Sequence, residues 1–162
     1  MTLALGIDPG TATTGYGLVR LEPDGSMAAV KYGVILTPKD STASARLVIL
    51  YDQLRELIGE FHPDIAAVEK LFFSRNVTTA LAVGQARGVV MLCLQQAGIE
   101  AFEYTPNEIK QAVAGYGSAQ KKQVQEMVRA LLALESIPKP DDAADALAIA
   151  ITHLSTKRYD LL

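Results

Sequence analysis

The sequence contains a single cysteine and no excess of positive charge. Cys93 is the one cysteine in 162 residues, which excludes an intrachain disulfide and a cysteine-rich zinc site. We expect it to be a small apolar core residue in a reducing compartment.

The N-terminal apolar stretch has no basic leader and is interrupted by Asp8. We therefore expect neither a signal peptide nor a membrane span, and a cytoplasmic protein.

The formal net charge is −3. Proteins that bind nucleic acids usually carry a basic surface, so this average argues against a nucleic-acid partner. A negative net charge is still compatible with a basic surface, because a group of basic residues lies in the middle of the chain: Lys70, Arg75, Arg87, Lys110, Lys121, Lys122 and Arg129. We therefore expect a locally basic groove on an acidic protein.

Composition and pattern predict one α/β domain over residues 1–162. Hydrophobic residues make up 49% of the chain and charged residues 20%, as in a soluble globular domain. Apolar runs predict strands at 2–7, 15–21, 27–36, 65–69 and 99–104. Helical periodicity and capping signals predict helices at 41–61, 76–97, 106–114, 118–134 and 141–154, with Ser118 and Asp141 as caps of the last two. Three antiparallel strands, followed by strands that alternate with helices, predict a mixed five-stranded sheet covered on both faces.

Four acidic residues stand at the ends of predicted elements. Asp8 ends the first strand, Glu69 ends the strand IAAVE, and Asp142 and Asp145 share one side of the last helix. A charge at the end of a buried strand is costly unless it is paired, hydrogen-bonded or bound to a metal. If the two strands are neighbours, the acids converge, and Mg²⁺ or Mn²⁺ would neutralise them through oxygen ligands alone. Two such ions can activate a water and stabilise the leaving oxygen of a phosphodiester.

Each of these residues also has an ordinary explanation. Asp8 precedes Pro9-Gly10 and would suit a turn, whereas Asp142 would suit the positive end of a helix dipole. Glu69 would suit an exposed surface. Asp141 is predicted to cap the last helix and is not among the predicted ligands.

The segment DPGTATTG also resembles a loop that cradles a phosphate. Gly10, Gly15 and the hydroxyls of three threonines (Thr11, Thr13 and Thr14) would face the oxyanion. A strand, an aspartate and such a loop also begin actin-like and hexokinase-like ATPases. Those proteins need two such domains to enclose a nucleotide, and this chain is too short for two.

The longer motifs resemble the RuvC family of crossover junction endodeoxyribonucleases, which have a ribonuclease H-like fold. They are GIDPGTATTGYG at the start, VEKLFFSRN in the middle, then GQARGV and YTPNEIKQAVAGYGSAQKKQV, and DDAADALAIAITH near the end. The resemblance implies that Asp8, Glu69, Asp142 and Asp145 bind Mg²⁺, with Mn²⁺ as a substitute and two ions per site, and catalyse cleavage. It further implies that a homodimer nicks four-way DNA junctions symmetrically in recombination and repair, beside a junction-migrating helicase complex of RuvA and RuvB.

The resemblance also indicates residues that contact DNA. Phe72, in the loop after Glu69, is implied to stack on junction bases, an interaction worth roughly 1–3 kcal/mol. Other DNA-binding candidates are Phe73, Arg75, Asn76, Lys110, Lys121 and Lys122. Core packing is the alternative for the two phenylalanines, and a solvated surface is the alternative for the lysines. We interpret His153, on the last helix, as structural.

A dimer has a trace in the sequence. Ala80, Gly84 and Gly88 recur every four residues on the second long helix and form a ridge that permits close approach by another element. That element is either the protein's own sheet or, as the resemblance implies, a second copy, which would place two sites symmetrically on a two-fold substrate. The non-enzymatic alternative is an architectural protein that binds junctions and whose acids only cap helices and form turns.

Overall fold

The computed structural model describes residues 1–70 and 76–160, with side chains as far as residue 157. The predicted Phe72, Phe73 and Arg75 lie outside the described residues. The elements follow the predicted order: β1 (Thr2–Asp8), β2 (Thr13–Leu21), β3 (Met27–Leu36), α1 (Ala43–Phe61), β4 (Ile65–Glu69), α2 (Val77–Gln96), β5 (Ala101–Tyr104), α3 (Pro106–Ala114), α4 (Lys121–Leu131) and α5 (Asp141–Asp160).

The strands form one mixed sheet in the order β3-β2-β1-β4-β5. β1 pairs antiparallel with β2, and β2 with β3. β4 runs parallel to β1, and β5 runs parallel to β4. The predicted sheet is therefore confirmed. The C-terminal ends of the parallel strands β1 and β4 lie side by side.

Helices cover both faces of this sheet, as predicted. Alternate residues of a strand point to opposite faces, so Leu5 and Ile7 of β1 belong to the core formed with α1 and α2. Ala4 of β1 and Ala67 of β4 belong to the core formed with α3, α4 and α5. Burial of each leucine or isoleucine stabilises the fold by about 1.5–3 kcal/mol, so the central strands are fixed from both sides.

α5 lies unusually close to the central strands because glycines face it. A Cβ added to Gly6 would lie 1.9 Å from the carbonyl oxygen of Ala146, and one added to Gly15 would lie 2.0 Å from that of Asp142. At Gly17 the same Cβ would lie 2.8 Å from a methyl of Leu147. The strand glycines therefore set the position of α5, and with it the position of the acids on its first turns.

α4 is shorter than predicted at both ends. It begins at Lys121 with Gln120 as its N-cap, so the predicted Ser118 cap is wrong. Ala119 is buried against the core, which holds the chain in place before the helix starts. At the other end, Ala133 adopts a left-handed φ of 51° and stops the helix early.

The start of α5 also differs from the prediction. The carbonyl of Pro140 accepts the amides of Ala143 and Ala144 at 3.0 and 3.4 Å, so Asp141 is the first helical residue and the prediction that it is the cap is wrong. The carboxylate of Asp141 instead contacts α4. At the other end, α5 continues past Leu154 because no glycine or proline interrupts it.

α2 is apolar on more than the face it buries. Ala86, Val90, Cys93 and Leu94 are buried, which confirms the core assignment of the cysteine. Among the described residues, α2 is the one helix long and apolar enough to cross a membrane by length and composition, a test that core helices of soluble proteins also pass.

Candidate active site

Asp8 and Glu69 lie at adjacent strand ends. Ile7 of β1 is in register with Val68 of β4, so the next residue of each strand is one of the two acids. Both side chains are half-buried. Because Asp8 is the last residue of β1 and pairs in register with Gly15, the alternative that it is only a turn residue is wrong.

The first turns of α5 add Asp142 and Asp145. Carboxylate oxygens of Asp8, Asp142 and Asp145 lie within 4.8 Å of one another, at a spacing that fits one metal ion. Glu69 lines one cavity with Asp145 and a second cavity with Asp8. The structure thus brings together the four acids predicted from the sequence. We call these four residues the carboxylate cluster.

Burial and mutual repulsion disfavour the ionised form of the cluster. Burial, followed by the charges of Asp145, Glu69 and Asp142, raises the pKa of Asp8 to about 7. Burial and then the charge of Asp145 raise the pKa of Glu69, although Lys110 opposes the change. Burial is also the main cause of the raised pKa of Asp145, which Lys121 opposes. Acids that repel one another through hard oxygen donors fit a divalent cation such as Mg²⁺ or Mn²⁺, whose charge would relieve the repulsion.

Two lysines line the cluster. A cavity of about 250 Å³ is lined by Glu69, Asp145, Lys110 and Lys121. The Nζ atom of Lys121 lies 3.7 Å from Oδ2 of Asp145 and 3.3 Å from Oδ2 of Asp141. Burial lowers the pKa of Lys121, but the charge of Asp145 and the hydrogen bond and charge of Asp141 outweigh it, so the pKa is raised. Both lysines are therefore placed to meet an anion that enters the cavity.

The structure also places Arg87 beside the carboxylate cluster, whereas the sequence indicated it only as one of the basic residues in the middle of the chain. Arg87 of α2 lines a second cavity of about 200 Å³ together with Asp8, Glu69 and Lys70. Its Nη2 pairs with Glu103 of β5, while its buried Nη1 has no hydrogen-bond partner among the described residues. The GQARGV motif was the available signal, but helical periodicity alone does not show where a long side chain ends.

The proposed phosphate-cradling loop is wrong. The hydroxyl of Thr14 is buried and donates to the carbonyl of Gly10 at 2.7 Å. Thr11 donates its hydroxyl to the carbonyl of Ala82 at 3.0 Å. Gly15 lies within β2, where it makes room for α5. These groups close the turn and join it to α2, so they are already used within the protein.

Other predicted residues lie outside the cluster. Asn76 caps α2, and its side chain accepts the amide of Thr79 at 3.2 Å. Lys122 is exposed on the first turn of α4. His153 is buried, with Nδ1 2.7 Å from the hydroxyl of Tyr104, which agrees with its structural interpretation.

Comparison with known proteins gives a consistent result. The family model of crossover junction endodeoxyribonuclease RuvC matches residues 4–153. The chain is 57% identical over 152 residues to the crossover junction endodeoxyribonuclease RuvC of Roseiflexus sp. (strain RS-1), covering 94% of this chain and 90% of that protein. It is 55% identical over 147 residues to the protein of the same name from Heliobacterium modesticaldum, covering 91% and 90% respectively.

Solved structures agree with the sequence comparisons. T. thermophilus RuvC in complex with Holliday junction substrate superposes with a TM-score of 0.93 at 36% identity, covering 99% of this chain and 97% of that one. The yeast mitochondrial Holliday junction resolvase superposes with a TM-score of 0.74 at 13% identity, covering 97% of this chain and 79% of that one, and shows the fold alone. The ribonuclease H-like fold implied by the resemblance is therefore confirmed.

Proposed function

Because the chain belongs to the RuvC family of crossover junction endodeoxyribonucleases, we propose that it resolves four-way DNA junctions by metal-dependent hydrolysis at the carboxylate cluster. The observation that carries the proposal is the convergence of Asp8, Asp142 and Asp145 within 4.8 Å. The three residues come from two distant parts of the chain. Burial and, after it, the charges of the neighbouring acids raise the pKa of Asp8 to about 7. We also propose that residues 1–162 belong to a single ribonuclease H-like nuclease domain.

The carboxylate cluster supplies oxygen ligands from two strand ends and one helix. Bound there, two Mg²⁺ or Mn²⁺ ions would activate a water for attack and offset the negative charge of the phosphodiester oxygens. Asp8, Asp142 and Asp145 are the ligands we assign to a shared ion, and Glu69 adds a carboxylate from the neighbouring strand. All four side chains are half-buried on secondary-structure elements, which limits their motion when ions and DNA bind.

Lys110 and Lys121 act on the substrate. Both line the cavity that contains Glu69 and Asp145, where a phosphate bound at the cluster would also lie. A lysine in this position stabilises the negative charge that builds up on the phosphate oxygens in the transition state. Exposed cations at the start of α4 interact unfavourably with the helix dipole. A bound anionic partner would offset this unfavourable interaction.

We assign DNA contacts beyond the scissile phosphate to residues that follow β4 in the sequence and to the first turn of α4. Phe72, Phe73 and Arg75 follow β4 in sequence, and Asn76 is the N-cap of α2. Lys122, exposed beside Lys121 on the first turn of α4, is positioned to contact a neighbouring phosphate. T. thermophilus RuvC has been solved with Holliday junction substrate, and we propose a junction as the substrate of this chain too. The basic groove expected from the sequence would then surround the cluster.

We propose that a second copy of the chain covers the exposed face of α2. Val77, Leu81 and Leu92 are 69, 64 and 54% exposed. Together with Gly84 and Gly88, their spacing places them on one stripe of the helix. A Cβ added to Gly88 would meet nothing within 4 Å, so this glycine faces away from the protein's own sheet. Apolar side chains around small residues suit close packing of two helices, and a two-fold dimer would present two sites to the two strands of a junction.

The cellular setting follows from the same proposal. A junction resolvase works in homologous recombination and DNA repair in the cytoplasm. We expect it to act beside a helicase complex of RuvA and RuvB that moves the junction to a cleavable sequence.

Cleavage of a labelled synthetic four-way junction tests the proposed function. Reactions with Mg²⁺, Mn²⁺ or a chelator are resolved on a denaturing gel, with a linear duplex of the same sequence as the matched substrate control. We expect symmetric nicks in the junction that require metal, and an intact duplex. Tight junction binding without nicks in either metal would contradict the proposal and favour an architectural role.

A further inference from the structure

We propose that Asp141 is a positioning residue for Lys121, holding its ammonium group at the mouth of the carboxylate cluster. The inference rests on the proposed function and deepens it, because it adds a residue that the sequence had assigned only to helix capping. Asp141 acts through Lys121 and is not itself a ligand or a catalytic group.

The carboxylate of Asp141 joins the first residues of α5 to the first turn of α4. Its Oδ2 lies 3.3 Å from Nζ of Lys121, and its Oδ1 accepts a hydrogen bond from Nε2 of Gln125 at 3.2 Å. Lys121 and Gln125 are four residues apart and so share one face of α4. One carboxylate thus uses both oxygens to fix this face of α4 beside α5.

Asp141 differs from its neighbours in the DDAAD sequence. Its carboxylate is not part of the group of Asp8, Asp142 and Asp145 whose oxygens lie within 4.8 Å. Its side chain is 66% exposed and is directed to α4. It is therefore unsuited to bind the metal ion that we assign to the other three residues.

The two acids beside Lys121 have different roles once a cation binds. The ammonium group of Lys121 lies between Asp141 and Asp145, at 3.3 and 3.7 Å. A divalent ion on Asp145 would neutralise that carboxylate and repel the ammonium group. Asp141 would then be the remaining anion that keeps Lys121 near the cavity where the phosphate binds.

Lys121 needs such a partner because its side chain is 57% exposed. A flexible four-carbon stem in water populates many rotamers, and few of them direct Nζ to the cavity. An exposed ion pair shifts such an equilibrium by only a small factor and adds little to the stability of the fold. We therefore expect a modest effect on the cleavage rate that is not accompanied by a loss of stability or of DNA binding.

A double-mutant cycle between Asp141 and Lys121 tests the inference. Single-turnover cleavage of a four-way junction in saturating Mg²⁺ is measured for the wild type, Asp141→Ala, Lys121→Ala and the double variant. Junction affinity is measured separately without divalent ions. We expect Asp141→Ala to slow cleavage about two- to fivefold, with no weakening of binding, and to have no further effect when Lys121 is already alanine.

Two further variants control for charge and for folding. Glu135→Ala removes another exposed acid from the segment between α4 and α5 and should cleave at the wild-type rate. Asp141→Asn keeps an oxygen that can accept from Lys121 and should retain part of the rate. If Asp141→Ala does not fold, Asp141→Asn replaces it in the double-mutant cycle with Lys121→Ala.

Three results would overturn the inference. The first is a cleavage rate of Asp141→Ala that is unchanged from or faster than that of the wild type. The second is that Asp141→Ala slows cleavage by the same factor in the Lys121→Ala protein as in the wild type. The third is that Asp141→Ala weakens junction binding by as much as it slows cleavage. A wild-type protein that fails to cut the junction in any metal would instead refute the proposed function. The two failures are therefore distinguishable in one experiment.

Discussion

Replacing Asp8 with asparagine should stabilise the metal-free protein at pH 8 while removing its activity. Asp8 is ionised at this pH in the folded state only at a cost, since burial and three neighbouring acids raise its pKa from 3.8 to about 7. Asparagine has nearly the same shape and no charge. The variant should therefore relieve repulsion without leaving a cavity.

The size of the effect follows from the difference between the two pKa values. A group whose folded pKa is raised contributes stability that is fully present below its unfolded pKa and is lost as the pH rises through its folded pKa. A shift from 3.8 to about 7 corresponds to about 4 kcal/mol of lost stability at pH 8 and to less than about 2 kcal/mol at pH 5. Asp8→Asn should regain up to these amounts.

Urea unfolding followed by circular dichroism, with a chelator present, measures the difference. With a denaturant slope of about 2 kcal/mol per molar, the unfolding midpoint of Asp8→Asn should lie up to about 2 M above that of the wild type at pH 8. The gap should narrow at pH 5, and saturating Mg²⁺ should stabilise the wild type selectively. A variant that is no more stable than the wild type at pH 8, or a gap that does not depend on pH, would refute the reasoning.

Three other predictions follow from the same geometry. At subsaturating Mg²⁺ the cleavage rate should rise with pH up to about 7 and then level off, because a proton on Asp8 competes with the metal; a rate that is flat from pH 5.5 to 8 at this Mg²⁺ concentration would contradict this. Gly15→Ala should destabilise the protein by about 1–3 kcal/mol in thermal unfolding and slow cleavage, because its Cβ would lie 2.0 Å from the carbonyl oxygen of Asp142. The control Gly59→Ala, at a helical site with open space, should be neutral or stabilising. Leu81→Asp should dissociate the proposed dimer in sedimentation velocity while the monomer stays folded, because its exposed side chain lies on the apolar stripe of α2.

The sequence predicted the members of the carboxylate cluster from one physical argument. Asp8 and Glu69 each interrupt an apolar pattern where a buried strand ends, and a buried charge requires a partner. Once β1 and β4 are adjacent, the two acids must converge. The spacing of Asp142 and Asp145 on one helix then brings two more acids together on one side.

Contacts between elements were harder to predict from the pattern. Gly15 suited a phosphate loop as well as a strand, because a glycine shows that something approaches closely but not what approaches. Its neighbour is the backbone of Asp142. Similarly, aspartate is a residue type preferred at helix N-caps, and only the packing of α4 against α5 shows that Asp141 contacts Lys121. Periodicity gives the face of a helix and leaves the identity of its neighbour open.

The most direct test of the central claim is to measure binding and cleavage of the same four-way junction by the wild type, Asp8→Asn and the control Asp52→Asn. Asp52 is exposed on α1, so its substitution removes an equal charge away from the cluster. We predict that all three proteins bind the junction with similar affinity, and that the wild type and Asp52→Asn nick it in Mg²⁺ while Asp8→Asn does not. Cleavage by Asp8→Asn at a rate near that of the wild type would contradict the assignment of the carboxylate cluster as the catalytic centre.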